Sequence, residues 1–129
     1  MRRLVWVLVL LAAGCGGRDA PTKVTPRALN EEGALEFFPA LSPDGTRVAF
    51  ASSSAGRFEV HVRGVSETGP GTPLTSDGRQ NVEPAFSPDG ASIAFHSKGR
   101  GGIWVVAASG GAPRLLSDFG SEPAFSPDG

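Results

Sequence analysis

Eight letters, EPAFSPDG, occur twice without change, at Glu83–Gly90 and again at Glu122–Gly129. A looser copy, FPALSPDG, occupies Phe38–Gly45. The SPDG cores begin at Ser42, Ser87 and Ser126, so successive copies stand 45 and 39 residues apart. Self-similarity at such a period is the signature of a repeat architecture, in which no unit buries a hydrophobic core alone. This single feature constrains the fold more than any composition figure.

Each copy leads into the same order of parts. A short run rich in β-branched and aromatic residues follows SPDG: Arg47–Ser52 (RVAFAS) and Ser92–Ser97 (SIAFHS). A Gly-rich turn comes next, then a second run, Phe58–Val65 (FEVHVRGV) and Ile103–Ala108 (IWVVAA). After another Gly/Pro turn a short strand closes the unit, Thr72–Ser76 and Pro113–Ser117. Together with the segment entering SPDG, four strands per repeat are predicted. Gly at 18 and Pro at 11 fit a chain that turns this often. SPDG itself is turn chemistry. Pro presets φ for the first corner position, Asp follows, and Gly takes the left-handed position, predicting a three-residue hairpin loop. The competing reading, a metal site at Asp44, Asp89 and Asp128, lacks the surrounding carboxylates that a hard cation needs.

The strand after SPDG alternates large and small rather than apolar and polar. Val48 and Phe50 point one way and Ala49 and Ala51 the other; Ile93 and Phe95 repeat the large face, Ala94 the small one. Both faces are therefore expected to be buried, bulky against slender, which stacked sheets around an axis require and a two-layer sandwich does not. Four-stranded units of this length and packing describe an all-β β-propeller.

The residues Pro84-Ala85-Phe86-Ser87-Pro88-Asp89-Gly90, Ile93-Ala94-Phe95, Ile103-Trp104-Val105-Val106 and Arg114-Leu115-Leu116 resemble the propeller repeat of the TolB family, a WD-repeat-like class. The first repeat is looser, with Glu59-Val60-His61-Val62 set at the Ile-Trp-Val-Val position. The resemblance covers about Pro26 to Gly129 and implies blades at about 36–76 and 82–117, with a third begun at 122. Thr25–Leu29 is expected to be the outer strand of a further blade. Two blades fall short of a ring, so the chain reads as part of a longer protein of roughly 250–350 residues.

Ahead of the repeats the chain changes character. MRRLVWVLVLLAAGC has two arginines, an apolar run from Leu4 to Ala13, then Gly14-Cys15. That run is too short to cross a bilayer and reads as a helical signal peptide over 1–14. Leu11-Ala12-Ala13-Gly14-Cys15 resembles the lipobox of bacterial lipoproteins, although Ala12 stands where Leu is usual. That resemblance makes Cys15, the sole cysteine, the lipidation site and the membrane anchor, with 15–24 a flexible tether. Gly16 in place of Asp favours the outer membrane of a cell envelope. After cleavage 10 basic residues would face 13 acidic ones, a net charge of −3. With no basic patch, nucleic acid is not an expected partner.

Two readings of function follow. One is a lipid-anchored, non-catalytic scaffold that binds a protein or peptide and needs no cofactor. The other is the propeller portion of a larger hydrolase of the prolyl-oligopeptidase kind, whose G-x-S-x-G elbow would lie beyond these residues. His61 and His96 belong to no recognisable catalytic or metal constellation, and they align with Val105 and Ala51 respectively, so they are not equivalent. Glu59, His61 and Arg63 alternate with Val60 and Val62, which predicts one solvated polar strip. Trp104 is expected to pack between blades.

Overall fold

In a computed structural model the described residues are 33–53 and 56–129. The signal peptide, Cys15, the tether and Thr25–Leu29 lie outside them. Eight strands follow in order: β1 (Glu36–Leu41), β2 (Arg47–Ser52), β3 (Glu59–Gly64), β4 (Thr72–Pro73), β5 (Asn81–Phe86), β6 (Ser92–Ser97), β7 (Ile103–Ala107) and β8 (Arg114–Ser117). They form two antiparallel four-stranded sheets, β1-β2-β3-β4 and β5-β6-β7-β8. Each is a meander, hereafter the first and second blade. The third SPDG copy repeats the turn, Gly129 N–H donating to the Ser126 carbonyl at 3.0 Å, without a described strand beside it.

The large/small alternation does what it predicts. Ala49, on β2, is paired with Val62, and Ala51 with Val60, which makes the slender face of the first blade. Ile93 pairs with Val106 and Phe95 with Trp104, which makes the broad face of the second. These two faces meet in one core containing Ala49, Val60, Val62, Leu74, Ile93, Phe95 and Val106, with Trp104 packed against it. Ile93 and Phe95 are fully buried. Burial of a side chain of that size contributes about 1.5–3 kcal/mol. Neither blade would hold Phe95 dry without the other. Val48 and Phe50, the broad face of the first blade, are buried as well.

The blades are wedged. β5 packs closely on β1, β2 and β3, whereas β4 and β8 pack closely only on strands of their own sheets. β1 and β5 therefore lie on the axis side and β4 and β8 on the rim. Arg47 adds a polar clasp near the SPDG turns: its guanidinium donates to the Gly90 carbonyl at 2.7 Å and lies 5.3 Å over the Phe86 ring.

Two local expectations are corrected. The hairpin after SPDG closes with Ser42 N–H on the Arg47 carbonyl at 2.9 Å, which leaves four residues in the loop, not three. The return bond comes from Arg47 N–H to the Ser42 hydroxyl at 2.9 Å, because Asp44 has drawn that hydroxyl into the turn. The β3–β7 correspondence is also off by one. Phe50 faces His61 and Phe95 faces Trp104, so His61 occupies the place of Trp104, not of Val105. The turns differ in length, and a one-residue slip along a strand exchanges its two faces.

Candidate functional site

The SPDG aspartates are committed to the turn. Asp44 Oδ1 accepts the Ser42 hydroxyl at 2.5 Å, the Thr46 N–H at 3.0 Å and the Thr46 hydroxyl at 2.8 Å. These donors, the Ser42 hydroxyl foremost, hold its pKa down at about 2. Asp89 takes the Ser87 hydroxyl at 2.5 Å and the Ala91 N–H at 3.0 Å, and its pKa too is lowered. In the third copy the Ser126 hydroxyl lowers Asp128 in the same way. A carboxylate stabilised by its own loop's hydrogen bonds is a structural group.

The strip Glu59, His61 and Arg63 is not solvated, which corrects the reading from alternation. The three are 3%, 5% and 5% exposed. The β3–β4 loop and the β4–β5 connector fold back over this face and supply partners. Glu59 accepts from the Thr75 hydroxyl, from Gly78 N–H at 2.6 Å and from Asn81 Nδ2 at 2.9 Å. His61 Nδ1 lies 2.9 Å from the Pro70 carbonyl. Arg63 donates to the Gly69 carbonyl, pairs with Glu36 at 3.5 Å and lies 4.7 Å over the Phe50 ring. Gly71 permits the fold-back: at φ +71° it passes so close to β3 that a Cβ would sit 2.8 Å from the Val62 carbonyl oxygen. Between the loop and the connector lies a cleft of about 670 Å³ whose walls include Arg57, Glu59, His61, Pro70 and Pro73.

A second feature lies on the axis side. Residues Phe38, Glu83 and Glu122 stand four positions before Ser in their copies, and all three have positive φ, 56°, 57° and 52°. Left-handed backbone is uncommon for residues with a side chain, and for a bulky aromatic it is an outlier. In the two blades the residue sits in a bulge: pairing skips from Phe37 to Ala40 in β1 and from Val82 to Ala85 in β5. Pro39 and Pro84 fill the skipped places, where a missing N–H removes no ladder bond. Glu83 Oε2 accepts the Glu122 N–H at 2.8 Å and lies 3.4 Å from His96 Nδ1. His96 is thus a half-buried polar strand residue, as expected of it. In the first blade the position holds Phe38, 46% exposed beside Phe37 at 40%. Phe37 contacts Phe38 and Phe58 at ring separations of 6.2 and 5.6 Å. Sequence reasoning did not single out this aromatic edge. The signal was available in Phe38, which stands where the other two copies of the octapeptide have Glu.

Trp104 packs on the inter-blade core as expected, donating from Nε1 to the Gly101 carbonyl at 2.9 Å with Arg100 4.5 Å over its ring. Among the described residues no cluster of three or more His, Cys, Asp or Glu could hold a metal ion.

Meandering four-stranded sheets that wedge together, broad face on slender, define the blades of a β-propeller. The chain belongs to the TolB family: the model of the TolB beta propeller domain matches residues 22–129. It is also similar to the solved structure of a candidate TolB from Agrobacterium tumefaciens, at 28% identity and a TM-score of 0.72. That match covers 82% of this chain and 39% of the other, so the chain spans well under half of that protein's length. A comparison with curated protein sequences finds no match.

Proposed function

We propose that this chain is a non-catalytic binding scaffold of the bacterial cell envelope, held on the membrane through lipid on Cys15. Its axis-side edge takes a protein or peptide. The observation that carries the reading is the aromatic edge of the first blade. Phe37 and Phe38 are exposed on the strand nearest the axis, and Phe38 is held in a strained backbone conformation. Strain of this kind costs of order 1–3 kcal/mol and concentrates where function needs a side chain presented. Exposed apolar groups in contact with one another mark interaction surfaces. The acidic and basic groups nearby are occupied with holding the fold, which suits a surface that binds rather than reacts. The similarity to TolB and the lipobox-like sequence at Cys15 support an envelope location.

A photo-crosslinking residue in place of Phe38, introduced into the chain in its bacterial host, tests the proposal. One discrete protein adduct, lost on Phe37→Ser, is the expected result. Adducts no different from those of a probe at the exposed Arg114 would overturn the binding reading. The anchor is tested separately by Cys15→Ala, which should move the protein from the membrane to the soluble envelope fraction. Unchanged membrane association would overturn the anchor alone.

A further inference from the structure

The cleft on the first blade opens beside β3 and β4, and the scaffold reading makes no use of it. We propose that it is a binding site for a neutral saccharide of one or two rings. The argument begins with His61. Its Nδ1 faces the Pro70 carbonyl, which can only accept, so Nδ1 carries the proton. In the neutral ring Nε2 is then an acceptor, and no hydrogen bond among the described residues occupies it. The ring is held by that bond and by Phe50, 5.9 Å away, on a residue that is 5% exposed. His61 lines the cleft, so an acceptor held there is open to a donor that enters it.

Glu59 lies two residues earlier on the same face of β3. A carboxylate offers about four acceptor sites. Two of those on Oε2 are filled by Thr75 and Asn81, and one on Oε1 is filled by Gly78. One site on Oε1 remains. At the exposed end of the same wall stands Arg57, a guanidinium with five donors and no ion-pair partner among the described carboxylates. The cleft therefore offers two acceptors, one donor fork and apolar walls from Pro70 and Pro73.

That set selects a ligand. An anion would gain Arg57 but supply nothing to His61 Nε2 and meet the charge of Glu59. An ammonium would satisfy the acceptors but meet Arg57. Hydroxyl groups both donate and accept, and a pyranose ring adds a C–H face for the prolines. A volume of about 670 Å³ lies within the range of small-molecule sites and accommodates such a ring.

The test uses the full chain, labelled with ¹⁵N and observed through the side-chain nitrogens of His61 and Arg57. The probes are D-galactose, maltose and sodium D-galacturonate. The expected result is a saturable shift of both side chains with one of the neutral sugars at millimolar concentration, with the acid weaker. Arg57→Ala, an exposed position that leaves the fold intact, should weaken binding about tenfold, as expected for one lost hydrogen-bonding group. His61→Gln should weaken it too, provided its spectrum stays dispersed. Three results overturn the proposal: no saturable shift in the tens of millimolar, tighter binding of the acid, or unchanged affinity in Arg57→Ala. None of these bears on the aromatic edge, so the scaffold reading stands or falls apart from it.

Discussion

The two blades share a backbone plan and differ in what fills it. Where the second blade carries Gly102, Trp104 and Val106, the first carries Glu59, His61 and Arg63. The second blade's broad face is apolar and seals against its neighbour. The first blade's broad face mixes Val48 and Phe50 with three buried polar side chains, each held by at least one hydrogen bond to a backbone or side-chain partner. The repeat thus fixes strand number, turn and bulge but leaves one face free to be either oily or polar. The polar version is maintained by a loop and a connector folded onto the sheet, and the cleft is a by-product of that folding.

The comparison can be broken most forcefully at its apolar half. Phe95→Ala should remove about 3–5 kcal/mol, because the cavity it leaves lies between two sheets that cannot both close over it. Urea unfolding measures it, and an effect equal to or smaller than that of Phe50→Ala would mean the blades do not depend on this seam. Next in size, Glu59→Ala should cost about 2–3 kcal/mol by stranding donors on Thr75, Gly78 and Asn81. Hydrogen exchange should show the β4–β5 connector opening first. Protection unchanged around Asn81 would show the polar face to be held by something else.

A smaller effect, about 1 kcal/mol, is expected from Arg47→Ser, which gives the first blade the residue of the second at that place, Ser92. The finest test is a titration. Asp44 has one more donor than Asp89, the Thr46 hydroxyl, where the second blade has Ala91. A lowered folded-state pKa stabilises above the unfolded value. That stability is lost as pH falls through the folded one, here from about 4 toward about 2. Carboxyl NMR should find Asp44 titrating below Asp89, and Thr46→Ala should bring the two together. Equal midpoints in the unaltered chain would contradict the hydrogen-bond account.

How far all this was readable from the letters differs by feature. β2 and β6 were legible to the residue, since SPDG fixes their start and the alternation of Val48-Ala49-Phe50-Ala51 reports local pleating. The wedge was legible because two faces of unequal bulk leave few ways to pack. The burial of Glu59, His61 and Arg63 was not. Polar residues in alternation look alike whether water or a returning loop covers them, and the loop arrives from Pro70 and Gly78, beyond any strand periodicity. The slip between β3 and β7 followed from aligning side-chain types across turns of unequal length. Counting from the opposite strand, where Ser52 faces Glu59 and His96 faces Ile103, would have set the parity. The aromatic edge was written in the sequence at Phe38, but its strained backbone belongs to the bulge and not to any letter.

Phe38, Glu83 and Glu122 show that the backbone at this place is indifferent to its occupant. The conformational cost belongs to the backbone of the repeat, whatever side chain happens to be there. Such a position is a blank socket set on the innermost edge of each unit. Lineages could refit it from aromatic to acidic one copy at a time, altering the inner wall while the surrounding architecture stays unaware of the exchange.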